Sequence, residues 1–133
     1  NILKHNEINN FVKNILLDFQ VNTNDSETLM QSLSGGNQQK VILGREIELD
    51  RPLIIIDEPV RGLDVGSIEY VHKRILEQRK SGKAILLISS DLDEIMNLSD
   101  RIIILYKGLL VKELITKNTN KEEIGEYMLG VKS

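Results

Sequence analysis

Across residues 7–19 the apolar side chains Ile8, Phe11, Val12, Ile15, Leu16 and Phe19 recur at steps of three and four, the spacing that lines one face of a helix. A helical opening is therefore expected. Residues 20–32 are polar, with Asn22, Thr23, Asn24, Asp25 and Ser26 in one cluster, and predict a connecting loop. Leu33 to Gly36 predicts a tight Gly-Gly turn feeding a helix over 37–49, which ends before Arg51-Pro52 because the residue before a proline disfavours helical backbone. Leu53-Ile54-Ile55-Ile56 is apolar without polar alternation, the mark of a strand buried on both faces of a parallel sheet. Ala84 to Ile88 repeats that pattern. Between the two runs, Ile68, Val71, Ile75 and Leu76 share a face of a helix over 67–80, closed by Gly82. Beyond them, Leu92, Ile95, Met96 and Leu98 predict a short helix, 102–106 and 109–112 a hairpin around Lys107-Gly108, and 121–129 a last helix.

Strands alternating with helices place the chain in the α/β class, in which ligands sit at the carboxyl ends of parallel strands. With 133 residues, 41% of them hydrophobic, one core can be buried. No apolar run approaches the roughly 18 residues that span a bilayer, so any membrane connection is expected to run through a partner. Cysteine is absent, which removes disulfides and thiolate metal sites and fits a reducing compartment. The net charge of −3 comes from interspersed acids and bases and leaves no electrostatic footprint for nucleic acid. The sequence opens on Asn1, with neither an initiator Met nor a signal-peptide pattern, and reads as a piece of a longer chain.

Two segments carry chemistry. In Leu33-Ser34-Gly35-Gly36-Asn37-Gln38-Gln39-Lys40, two glycines and a hydroxyl at a helix start expose backbone N–H groups where the helix dipole favours an anion, and Ser34 adds a donor. For a bare Ser-Gly-Gly the commoner explanation is an N-capped turn with Ser34 as the cap, and spacing alone does not decide. At the end of the first strand, Asp57 and Glu58 could place one carboxylate toward Mg²⁺ and the other toward a reacting water, as phosphoryl transfer needs. Alone, Asp57-Glu58-Pro59 is also a solvated strand-to-turn junction.

The order LSGGNQQK, then LIIIDEP, then RGLD resembles the ABC ATPases, and the resemblance runs over essentially all of the chain. It implies a partial P-loop NTPase domain, with 1–50 part of the helical signature subdomain and 51–133 the C-terminal part of the ATPase core. It further implies that Ser34, Gly35, Gly36 and Asn37 form the signature loop, with Asp57 as the Walker B aspartate and Glu58 as the catalytic glutamate. Gly62-Leu63-Asp64 would be the D-loop, making Asp64 a nucleotide-side residue, with ATP and Mg²⁺ as cofactors. LSGGNQQK together with EPVRGLDVGSIEYVHKRI is similar to the second ATPase half of tandem simple-sugar and nucleoside importers, although Val60 stands where threonine is expected. Ser89-Ser90-Asp91-Leu92 resembles the switch loop, with Ser90 in place of the usual histidine. That change implies a weak site around Glu58, while the signature loop would cap the nucleotide of the first half.

No G-x-x-x-x-G-K-[ST] occurs in the sequence, and the family's Q-loop is not identifiable, so the phosphate cradle must come from elsewhere. The implied partners are a first ATPase half, a membrane permease and, indirectly, a substrate-binding protein, with the ATPase peripheral on the cytoplasmic face of the membrane. Residues 7–19 would lie near the permease. Two alternatives are a soluble ABC ATPase acting on nucleic acid or the ribosome, and a non-catalytic module that completes a partner's ATP site. His72, between Val71 and Lys73, and His5 near the start are assigned no role. Tyr106, Tyr127, Met96 and Met128 are read as packing residues.

Overall fold

The computed structural model describes residues 3–23 and 25–132. Asn1 and Asn24, which entered the readings of the chain's start and of its polar loop, lie outside them. The helices are α1 (His5–Asp18), α2 (Gly35–Glu48), α3 (Val65–Lys80), α4 (Leu92–Leu98) and α5 (Lys121–Met128); the strands are β1 (Leu53–Asp57), β2 (Ala84–Ile88), β3 (Arg101–Tyr106) and β4 (Leu109–Ile115). Short 3₁₀ turns occupy Met30–Ser32 and Thr116–Asn118. The described residues divide into two units, one containing residues up to Ile55 together with Pro59–Leu86, the other Ile56–Glu58 and the residues from Leu87 onward.

In the first unit α2 packs on α1 and on α3, and the crossing is close because Gly44 has no side chain. A Cβ there would stand 2.8 Å from Ile15 Cγ2 and 3.0 Å from Phe19 Cδ2. Phe19 is fully buried, and α3 closes over it from two positions. The Tyr70 ring meets it edge-on at 6.4 Å, and the Arg74 guanidinium lies 4.4 Å from its centroid, a stacking that Arg74 supports by pairing with Glu77. The Tyr70 hydroxyl donates to the Asp18 carbonyl at 2.9 Å. Leu43, Ile47, Val71 and Ile75 complete the buried set on the helices.

β1 and β2 neighbour each other in a two-stranded sheet. Ala84 N–H donates to the Pro52 carbonyl in the first unit, and Glu58 N–H to the Ile88 carbonyl in the second, so the strands run parallel. The expectation of strands buried on both faces is corrected. Ile54 is buried, but Leu53, Ile55, Leu86 and Ile88 are about half or more exposed. Among the described residues each strand has only the other as its neighbour, and the described helices leave Leu53, Ile55 and Leu86 uncovered. The continuous apolar run codes for cover on two sides, of which the described residues provide one.

In the second unit β3 and β4 form an antiparallel hairpin, with Ile102 opposite Leu114 and Ile104 opposite Lys112, and a register shift after Ile104. Lys107 (φ 48°) and Gly108 (φ 78°) are both left-handed, as the two-residue turn favoured by twisted strands requires. Ile102 and Ile104 point to one face and form a core with Ile124 and Tyr127 of α5, joined by Leu92, Ile95, Met96 and Met128. The packing assignments for Met96, Met128 and Tyr127 match this core. Tyr106 lies against Gly130 (φ 71°), where a Cβ would come 2.4 Å from the ring.

Gly44→Val should therefore force α1 off α2 at Ile15 and Phe19 and destabilise the first unit by about 1–3 kcal/mol, the usual cost of overpacking. Urea denaturation followed by circular dichroism should show a lowered midpoint with an unchanged slope.

Candidate functional site

The segment Ser34–Asn37 opens α2 with Ser34 as its N-cap, in extended backbone (φ −61°, ψ 155°). Ser34 Oγ accepts from the Asn37 backbone N–H at 3.4 Å and from the Asn37 side-chain amide at 3.1 Å. The other end of that amide is also engaged, because Asn37 Oδ1 accepts from Asn22 N–H at 2.9 Å. The N–H groups of Gly35 and Gly36 belong to the first turn, where a helix offers no internal acceptor. Nothing lies within 4 Å of a Cβ added at Gly35, so its surroundings are open. Gly36 differs: its Cβ would meet Ser67 Oγ at 2.9 Å and Asp64 Oδ2 at 3.6 Å. The two glycines thus have separate physical reasons, open approach at Gly35 and tight packing inside the chain at Gly36.

Asp64 is the N-cap of α3. Its Oδ1 accepts from Ser67 N–H at 3.0 Å and its Oδ2 from the Ser67 hydroxyl at 2.8 Å. These bonds, the backbone one first, hold the carboxyl below the ordinary aspartate value. Both oxygens are committed to the helix start. The segment before it is fixed by Gln39 of α2, whose Nε2 donates to the Pro59 carbonyl at 2.8 Å. Sequence reasoning assigned nothing to Gln39, since a half-buried amide in a helix leaves no periodic signal.

In the second unit, Asp57 is exposed and Glu58 half-buried at the carboxyl end of β1, the end at which parallel strands present ligand-binding groups. Glu58 adopts φ 45°, a left-handed conformation that costs a residue with a side chain on the order of 1–3 kcal/mol. Its neighbours hold it there. Glu58 N–H is bonded to the Ile88 carbonyl, and its Oε1 accepts both the N–H of Ser90 at 3.0 Å and the Ser90 hydroxyl at 2.9 Å. The structure therefore brings together Glu58 and Ser90, which the resemblance assigned to the catalytic glutamate and the switch loop. Asp91 caps α4 by accepting from the N–H groups of Asp93 and Glu94, which anchors the loop carrying Ser90. Among the described residues no group of three His, Cys, Asp or Glu side chains is arranged to hold a metal. Asp57 offers one exposed carboxylate at that end, where a hard cation would need water and phosphate oxygens to complete its shell.

No family model matches the chain. It is 45% identical over 129 residues to the guanosine import ATP-binding protein NupO of Bacillus subtilis, covering 97% of this chain and 25% of that protein. It is 44% identical over 128 residues to the nucleoside import ATP-binding protein NupA of Lactococcus lactis, covering 96% and 25%. With the ribose import ATP-binding protein RbsA of Clostridium perfringens the identity is 40% over 125 residues, covering 94% and 24%. The chain thus spans about a quarter of the length of the curated relatives it matches. Among solved structures, an ATP-binding subunit of an ABC transporter superposes with a TM-score of 0.75 at 25% identity, over 96% of this chain and 56% of that one. A dimeric ATP-binding cassette in a post-hydrolysis state with ADP and Pi gives a TM-score of 0.74 over 87% of this chain and 50% of that one; at 22% identity it speaks for the fold alone.

The capping bonds on Asp64 predict a pH effect. A carboxyl whose folded value lies below its unfolded value of about 3.9 adds stability that is present above that pH and is lost as pH falls through the folded value. In carboxyl-detected NMR titrations, Ser67→Ala should move the Asp64 midpoint up toward the ordinary aspartate value. Asp64→Asn should flatten the loss of thermal stability below about pH 4.

Proposed function

This chain belongs to the ABC-type ATP-binding proteins, and from that premise we propose that it is the C-terminal part of an ATPase domain that couples ATP hydrolysis to import of a simple sugar or nucleoside. The observation that carries this reading is the position of Asp57 and Glu58 at the carboxyl end of a parallel strand, in a chain 45% identical to a guanosine import ATP-binding protein. Residues 1–50 form part of the helical signature subdomain, and 51–133 the C-terminal part of the core.

Bound ATP with Mg²⁺ supplies the phosphoryl group whose transfer to water releases the energy for transport. This chain's residues do the rest of the work at two places. Ser34, Gly35, Gly36 and Asn37 cap a nucleotide held by the phosphate loop of a first ATPase half. The approach is open at Gly35, the N–H groups of Gly35 and Gly36 have no acceptor within the helix, and the helix dipole favours an anion there. Asp57 offers a hard oxygen to Mg²⁺. Glu58 orients the attacking water and takes its proton at Oε2, while Oε1 stays on Ser90. Asp64 caps α3 and holds the D-loop on the nucleotide side.

The partners are the first ATPase half, the permease and, indirectly, the substrate-binding protein, with no nucleic acid. No described helix is long and apolar enough to cross a membrane; the proposed position is peripheral, at the cytoplasmic face, with the permease as anchor.

Two measurements test the reading. The purified chain, which has no G-x-x-x-x-G-K-[ST], should show no Mg²⁺-dependent ATPase activity; turnover that disappears with Glu58→Gln would contradict this. In the complete transporter, Gly35→Asp should lower ATP hydrolysis by about tenfold or more, equivalent to ~1.4 kcal/mol of lost transition-state stabilisation, and Glu58→Gln should cost less. Position 35 is preferred to 36, where an added side chain collides with Ser67 inside the chain. A variant set in which Glu58→Gln abolishes turnover and Gly35→Asp spares it would reverse the assignment of the two sites.

A further inference from the structure

We propose that Gln39 is a positioning residue that fastens the segment after β1 to the first turns of α2, so that the Ser34–Asn37 and Gly62–Asp64 loops keep a fixed spacing. The proposal rests on the reading above, in which the first of these loops meets nucleotide. Gly36 and Gln39 stand three residues apart on α2 and therefore share a face of the helix. That face meets the segment Pro59–Ser67 at both of its ends. At the far end Gly36 lies against Ser67 Oγ and Asp64 Oδ2, near enough that no side chain fits. At the near end Gln39 Nε2 donates to the Pro59 carbonyl at 2.8 Å.

Pro59 is buried and lies beyond the last residue of β1, so no strand ladder supplies a donor to its carbonyl. A buried carbonyl requires one, and the Gln39 amide provides it. Between the two fastenings the backbone turns through a Leu63 N–H to Val60 carbonyl bond and a left-handed Gly62 (φ 75°). Such a turn keeps its shape when its ends are held. A displacement of the Ser34–Asn37 loop is thereby carried to Gly62–Asp64 as movement of one body rather than absorbed between them. The requirement is for a donor at position 39, not merely for a side chain of that size.

The test uses the full-length protein and amide hydrogen exchange. Gln39→Glu keeps the shape but turns a carboxylate oxygen toward the carbonyl, whereas Gln39→Lys retains an N–H donor. The amides of Leu63 and Ser67 should exchange about tenfold faster in the Glu variant, the scale of one lost hydrogen bond. In the Lys variant they should stay within about twofold of the unaltered protein, and amides of β3 should change in neither. If the Glu variant does not fold, Gln39→Leu takes its place in the comparison. Unchanged exchange at Leu63 and Ser67, equal acceleration in the Lys and Glu variants, or acceleration spread evenly over the molecule would each overturn the proposal. ATPase activity measured on the same proteins separates the two claims. A wild-type protein that never hydrolyses ATP overturns the functional reading, while unaltered exchange in Gln39→Glu overturns the fastening.

Discussion

The burial of Phe19 under three helices is the contact on which the first unit depends. α1 delivers the ring, Gly44 lets α2 come down on it, and Tyr70 and Arg74 bring α3 over its edge and face. Each of these is a short-range packing requirement with little slack, since interiors pack at crystal-like density. The two helices gathered there begin at the loops with chemical interest. α2 starts with Ser34 and α3 with Asp64 as caps, so the position of both loops follows from how the helix bodies seat on one aromatic ring. The same anchoring extends to the chain just past Phe19, where Lys40 and Asn37 reach back to the Gln20 carbonyl and the Asn22 N–H.

Much of this arrangement can be read from residues. The three- and four-residue steps of Ile8, Phe11, Val12, Ile15 and Phe19 encode α1, Lys107-Gly108 encodes the hairpin turn, and Ser34 before two glycines encodes a cap. Helix and hairpin signals are local, and local signals survive without knowledge of what lies nearby. Burial of β1 is not a local property: Leu53 and Ile55 are apolar enough for an interior, yet only a second covering layer could put them there. The amide contacts of Gln39 and Asn37 were equally hidden. A side-chain hydrogen bond across 20 residues of sequence has no period and no compositional trace, and becomes visible only when the two backbones are placed.

The pairing of Glu58 with Ser90 shows what sequence could state and what only geometry adds. The resemblance places the two in one catalytic region and reads the serine as the mark of a weak site. With the backbone in place, the serine offers two donors to one carboxylate oxygen, and the glutamate occupies a backbone region that few non-glycine residues enter. A histidine in that position would offer a bulkier ring and a titratable donor. Strain and hydrogen bonding coincide at this one residue, which is the usual distribution of strained backbone in proteins.

The uncovered face of β1 and β2 bears on how the polypeptide must be handled, in the cell and in the tube. Leu53, Ile55 and Leu86 stand side by side on paired strands, with about half or more of their surface in water. Apolar strand surface of this kind is what nascent and truncated chains use to stick to one another. Whatever else accompanies this segment has to arrive at that face before another copy does. For a chain of this extent, self-association is governed less by the net charge of −3 than by a few aliphatic side chains on a two-stranded sheet.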